Sequence, residues 1–114
     1  SLLKGDEMAK FYLMGNYTAQ AFQGLLKDPN SDRSKAAQAA AEAVGAKLIS
    51  YDALRGSFDF IVLVEGTFDQ IAGVKLATEA TGAVTNITIC EAININDAAG
   101  NAAKIAGAYK PPGQ

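Results

Sequence analysis

The apolar segment 58–66, FDFIVLVEG, is the feature that most restricts what this chain can fold into. In a β-strand, alternate side chains point to opposite faces of the sheet. An antiparallel sheet with one face in water should therefore alternate apolar with polar residues. Here one face would carry Phe58, Phe60, Val62 and Val64, and the other would carry Asp59, Ile61, Leu63 and Glu65. The segment predicts a strand with large apolar groups on both faces.

The rest of the chain divides into segments of similar length. Strands are predicted over 9–17, 46–55, 58–66 and 83–93, with a short turn at Gly56-Ser57 that makes a hairpin of the second and third. Helices are predicted over 18–28, 30–45, 67–82 and 94–109. The order predicts an α+β, ferredoxin-like βαββαβ fold: a four-stranded antiparallel sheet with two helices on one face, plus an extra C-terminal helix.

Local signals mark the helix ends. Thr18 is a predicted N-cap, and Pro29 breaks the first helical segment. Ser31 or Asp32 caps the next helix, which Gly45 stops. The alanine-rich face of this helix is expected to allow close packing on the sheet.

Two helices can cover only one face of the sheet, yet both faces are apolar. About five large side chains left in water, at roughly 1.5–3 kcal/mol each, would forfeit on the order of 10 kcal/mol. That is as large as the whole stability of a typical domain, about 5–15 kcal/mol. The C-terminal helix or a long loop could cover the second face. We favour a homodimer packed sheet to sheet, since two-fold pairs are the commonest oligomers.

Composition excludes several classes of function. The 114 residues suffice for one domain, and the 10 Lys and Arg are scattered, so we expect no nucleic-acid or membrane partner. Histidine is absent and Cys90 is the single cysteine, so we predict no disulfide within the chain, no metal site and no cofactor. The protein is predicted to be cytoplasmic.

Several stretches resemble one family. The segments QGLLKDPNSDR, VGAKLISYDALRGSFDFIVLVEG and TGAVTNITICEAI are similar to the GYD-domain family of small bacterial proteins. Its Gly-x-Tyr-Asp motif stands here as Gly56-Ser57-Phe58-Asp59, with phenylalanine in place of tyrosine. The resemblance implies a ferredoxin-like fold related to dimeric α/β barrels, and it supplies no catalytic residues. The resemblance covers a GYD-like domain (9–93). We predict a tag or disordered tail before it (1–8) and a C-terminal helical extension and tail after it (94–114).

Five polar residues are candidates for lining a ligand pocket: Asp59, Asn86, Tyr12, Asn16 and Tyr17. Asp59 could anchor a ligand or act as a base; alternatively, it accepts backbone N–H groups in the turn or pairs with Arg55 or Arg33. The tyrosines could equally be amphipathic surface residues. Asn86 is expected on a central strand, where a buried amide needs partners. Arg33 and Lys35 could meet an anion, but we favour solvated charges.

Three functions stay open at this point. The first is a homodimer that binds a small ligand between sheet and helices. The second is a cofactor-independent enzyme of the monooxygenase, isomerase or lyase type, an inference that rests on fold analogy. The third is a regulatory or partner-binding module that uses the C-terminal tail. A closed, polar-lined cavity would favour the first two, and a solid core with an exposed apolar tail helix would favour the third.

Overall fold

The structure, a computed structural model, describes residues 7–114. The predicted tag or tail, 1–8, lies outside the described residues except for Glu7 and Met8. The elements follow in the order β1 (Ala9–Tyr17), α1 (Ala19–Lys27), α2 (Arg33–Ala43), β2 (Lys47–Ala53), β3 (Phe60–Gly66), α3 (Phe68–Ala80), β4 (Val84–Glu91) and α4 (Ile95–Ala106). In the part of the chain described, no helix is long and apolar enough to cross a membrane.

The sheet confirms the predicted α+β, ferredoxin-like architecture. The four strands are ordered β2-β3-β1-β4, and every neighbouring pair is antiparallel. The central strands are thus β1 and β3. The prediction that Asn86 lies on a central strand is wrong, because β4 is an edge strand, where a side chain keeps contact with water.

Helix ends form where the local signals predicted them. The Thr18 side chain accepts a hydrogen bond from the backbone of Ala21, and Asp32 accepts one from Ser34. Thr67 and Gln70 form a reciprocal capping box at the start of α3. Gly45 ends the second helical segment with φ of 81°, a conformation that a Cβ atom disfavours.

One face of the sheet, the helix-facing side, carries the core. Side chains from β1, β3 and β4 pack there against Ala41, Ala46 and Ile71. The sheet residues in this core are Phe11, Leu13, Phe60, Val62, Val64 and Ile87. They alternate along each strand with residues that are less buried, as the sequence pattern predicted for segment 58–66.

The opposite side of the sheet, which we call the open face, is also apolar at its centre. Cross-strand pairing places Tyr12 beside Leu63 and Cys90, and Met14 beside Ile61. Tyr12 is 38% exposed and the three aliphatic side chains are half-buried. The helices α2 and α3 pack on the other side.

The C-terminal helix does not cover the open face. Every residue from Cys90 to Gln114 is exposed, and Ile95 and Ile105 have 70% and 61% of their surface in contact with solvent. Such exposure is incompatible with a helix that packs along its length on its own sheet. Within residues 7–114, the open face therefore has no helical layer.

The packing of the core predicts the effect of a substitution at Ile71, a residue of α3 that is 0% exposed. The substitution Ile71→Ala should lower the free energy of unfolding by about 2–5 kcal/mol, because it removes buried methyl groups and leaves a void. Leu76→Ala is the matched control, since Leu76 lies on the same helix and is 69% exposed. Urea unfolding measures both, and equal losses would contradict the assignment of the core.

Candidate functional site

A cavity of about 380 Å³ lies between the helix-facing side of the sheet and the helices α2 and α3. Its volume is within the range of small-molecule sites, roughly 300–1,000 Å³. The cavity is partly open to solvent. Most of its wall is aliphatic or aromatic, from Leu13, Phe60, Val62, Val64, Ile87, Leu48, Val74 and Val84.

The cavity exists because α2 presents small side chains to the sheet. Ala36, Ala37, Ala40 and Ala41 line it together with Ala77 of α3. The expectation that this alanine-rich face packs closely is met at Ala41, which is 1% exposed. Elsewhere along α2 the methyl groups are too short to fill the space above large β-strand residues, so a void remains.

The polar end of the cavity is formed by Tyr17, at the end of β1, and Arg33, at the start of α2. The Tyr17 hydroxyl and the Arg33 Nε–H are both buried and have no hydrogen-bond partner among the described residues. The guanidinium carbon lies 5.9 Å from the centre of the Tyr17 ring, at the outer limit of a cation–π contact. The two groups are neighbours without a hydrogen bond of standard geometry between them.

Aromatic contacts hold the Tyr17 ring in place. Its centroid lies 5.1 Å from that of Phe60 and 5.8 Å from that of Phe22. Phe60 in turn stacks on Tyr51 with centroids 6.5 Å apart. These rings extend from α1 to β2 and form one wall of the cavity, since Tyr17, Phe60 and Tyr51 all line it.

Burial raises the pKa of Tyr17 above its ordinary value of 10.0. The Arg33 guanidinium acts in the opposite direction, and the negative charge of Asp59 acts in the same direction as burial. The neutral phenol, which can donate a hydrogen bond, is therefore the favoured form near neutral pH.

Four of the five predicted site residues meet at the end of β1. Asp59 Oδ2 accepts hydrogen bonds from the Tyr17 backbone N–H, at 3.0 Å, and from Asn16 Nδ2, at 3.2 Å. Asn16 Nδ2 also lies 3.1 Å from the carbonyl oxygen of Ser57. Asn86 Nδ2 donates to Asn16 Oδ1 at 3.1 Å. The carboxylate thus accepts a backbone N–H, as one of the two interpretations of Asp59 expected, but the donor lies at the end of β1 and not in the turn beside Gly56.

These four residues differ in their access to the cavity. Only Tyr17 lines its wall, whereas Asp59, Asn16 and Asn86 form the hydrogen-bonded cluster beside it. Asn86 has a φ of 58°, a left-handed conformation that asparagine tolerates, next to an irregularity in the pairing of β1 with β4. Tyr12 is separate from this cluster, because it lies four residues before Asn16 on β1, at the centre of the open face. A ligand role for each of the five stays a prediction.

Sequence reasoning undervalued Arg33. A cation in the first turn of a helix is unfavourable with the helix dipole, and this was the available signal that Arg33 has another purpose. In the structure its Nε–H is buried at the cavity, while Lys35, two residues later, is exposed. Lys35 is thus a solvated charge as expected, whereas Arg33 is half-buried with its Nε–H shielded from water.

The raised pKa of Tyr17 predicts a stability change at high pH. A group whose pKa is raised by folding contributes stability below its unfolded pKa of about 10 and loses it as the pH rises through the folded value. Tyr17→Phe should therefore flatten the fall in the free energy of unfolding above pH 10. Urea unfolding from neutral to alkaline pH measures this, with Tyr109→Phe at an exposed position as control. Identical pH profiles for the Tyr17 variant and the unmodified protein would contradict the prediction.

Comparison with known proteins gives one family. A family model described as GYD domain matches residues 11–102, from the middle of β1 into α4. The match ends at residue 102 and so includes part of the segment assigned above to the extension after Ile93. No curated protein matches the chain. Because the match covers most of the sequence, and the strand order agrees with the fold that the resemblance implied, the chain belongs to the GYD-domain family.

Proposed function

We propose that this protein binds a small, largely apolar molecule in the cavity between its sheet and the helices α2 and α3. The observation that carries the proposal is the cavity itself, with two unpartnered polar groups, Tyr17 and Arg33, at one end. Apolar walls with a few convergent polar groups are typical of ligand sites.

The packing of α2 supports this proposal. An unfilled void forfeits packing energy at about 24 cal/mol per Å³, so a core of this size would gain from larger side chains. The alanines at 36, 37 and 40 leave the space open instead. A ligand that enters it regains the lost dispersion contacts and removes apolar surface from water.

A matched pair of substitutions on α2 tests ligand binding. Ala40 lines the cavity, whereas Ala39 is exposed on the outside of the helix. N-phenyl-1-naphthylamine, a neutral apolar dye that fluoresces when shielded from water, should bind the unmodified protein. Ala40→Phe should weaken this binding at least about tenfold because its ring occupies the site, and Ala39→Phe should not.

The unfolding temperature of both variants shows whether a loss of dye binding comes from a filled cavity or from a damaged core. Because Ala40 borders empty space, the phenyl ring of Ala40→Phe should fill part of the cavity, and the unfolding temperature should stay unchanged or rise. Forcing a ring into a closely packed core would instead cost about 1–3 kcal/mol. Dye binding that is the same in Ala40→Phe and Ala39→Phe would contradict the proposal.

We further propose that the molecule is a homodimer whose two open faces pack together. The open face carries Tyr12, Met14, Ile61 and Leu63 at its centre, and no helix of residues 7–114 lies over it. Four strands about 4.8 Å apart and about 25 Å long give a projected area of roughly 500 Å². A standard interface buries about 800 Å² from each partner, so the face supplies a large part but not all of one.

The helix α4 can supply the remainder. It starts a few residues after β4, the edge strand, and carries an exposed apolar stripe at helical spacing. The stripe consists of Ile95, Ala98, Ala99, Ala102, Ile105 and Ala106. Because α4 follows directly after the edge strand β4 and leaves its own sheet uncovered, the second copy of this chain is the occupant that we propose for both surfaces.

Charge placed on the open face should separate the subunits. Leu63→Lys puts an ammonium group into the centre of the proposed interface, where it loses water without gaining a partner. The dimer dissociation constant should rise at least about tenfold, as measured by native mass spectrometry and analytical ultracentrifugation. Ala39→Lys adds the same charge on the exposed side of α2 and should leave the constant unchanged.

The same measurement tests the role of α4. Ile105→Asp places a charge on the stripe, and Asn101→Asp places one near the polar side of the helix. Only the first should weaken the dimer. A dimer that tolerates Ile105→Asp would instead favour the third function considered above, in which α4 binds a different protein. An unmodified protein that is monomeric at micromolar concentration would overturn the homodimer.

A further inference from the structure

We infer that the ligand of this cavity is a small organic monocarboxylate, with its carboxylate at Arg33 and Tyr17 and its apolar body among the alanines of α2. The inference rests on the proposed function and adds the chemical class of the ligand. It follows from three features of the cavity: its unpartnered donors, its charge and the contrast between its two ends.

The unpartnered polar groups of the cavity include two donors. Arg33 Nε–H can only donate, and the Tyr17 hydroxyl can donate as well as accept. A buried donor without a partner is costly, and a ligand that supplies an acceptor removes that cost. A carboxylate has two oxygens and can accept from the guanidinium and the phenol at once.

The charge of the cavity matches one negative charge. Arg33 is the only charged residue among those that line it, and within the described chain it makes no ion pair. The carboxylate that acts on Tyr17 is Asp59, which is already held by Asn16 and the Tyr17 backbone. A dianion such as a phosphate monoester would leave a second charge uncompensated beside Asp59, which is unfavourable where water is scarce. A monoanion leaves no uncompensated charge.

The two threonine hydroxyl groups in the wall are already used. Thr78 Oγ donates to the Val74 carbonyl oxygen at 2.7 Å, and Thr81 Oγ donates to that of Thr78 at 2.6 Å. The cavity volume of 380 Å³ corresponds to about a dozen water molecules at ~30 Å³ each. A medium-length acyl chain or a single substituted ring fits such a space, and away from Arg33 and Tyr17 the wall offers it mainly apolar contact.

Three probes that share an eight-carbon alkyl chain and differ in their head group test the chemical class of the ligand. Octanoate, octanol and octylamine are titrated as competitors of N-phenyl-1-naphthylamine and, without the dye, by calorimetry. Octanoate should bind at least about tenfold more tightly than octanol, because it gains charge-assisted hydrogen bonds. Octylamine should bind most weakly, since its cation faces Arg33.

Variants locate the head group. Arg33→Gln and Tyr17→Phe should each weaken octanoate several-fold and leave octanol unchanged. Lys35→Gln removes the same charge as Arg33→Gln from an exposed position on the same helix, and it should leave octanoate binding intact.

The outcomes separate this inference from the proposed function. Dye and octanol binding with no preference for octanoate would overturn the carboxylate class and leave ligand binding in place. An octanoate preference that survives Arg33→Gln but is lost in Lys35→Gln would also overturn it. Absence of binding by the dye and by all three probes would overturn both proposals together.

Discussion

A sheet with large apolar side chains on both faces needs two covering layers, and residues 7–114 supply one of them. The central strands β1 and β3 send Leu13 and Val62 to the helices and Tyr12 and Leu63 to the open face. The alternation of side chains along a strand is fixed by backbone geometry. Neither set of side chains can therefore move to the other face unless the strand shifts its register. The helical layer covers one set. The proposed second subunit would cover the other.

The helical layer is itself incomplete, and the reason is side-chain size. A helix that packs on large β-strand residues through methyl groups can approach closely at one point but cannot fill the space along its whole length. Ala41 is that point of contact. Beyond it the gap between α2 and the sheet opens into the cavity. The helical layer that covers the core thus also creates the candidate site, and a ligand would fill the space that the alanines leave open.

Much of the architecture could be predicted from local sequence. The alternation of residues along segment 58–66 was enough to predict its two apolar faces. Helix ends were marked by Thr18, Asp32 and Gly45, through hydrogen bonds or dihedral preferences that involve near neighbours. Strand order depends on tertiary pairing, so the edge position of Asn86 could not be read from its own neighbourhood. A ligand site between sheet and helices was one of the hypotheses, but the void over α2 could not be predicted, because a run of alanines is equally compatible with close packing and with a void.

Asp59, the carboxylate that precedes the apolar run of β3, connects these features. Its side chain accepts the Tyr17 backbone N–H, its own N–H donates to the Gly15 carbonyl oxygen at 2.8 Å, and its carbonyl accepts from Leu54 at 2.8 Å. These bonds fasten the turn after β2 to the end of β1. They also fix the backbone from which the Tyr17 ring projects into the cavity, between Phe22 and Phe60.

A phenol held in this way loses little conformational freedom when it binds, which preserves more of the interaction energy as affinity. In the proposed complex, Asp59 would influence binding without touching the ligand. Its contribution is to position Tyr17, and the negative charge that it brings near the phenol helps to keep the hydroxyl protonated. The position of Asp59 is thus explained by the backbone that it holds and by the neighbour whose proton it helps to retain.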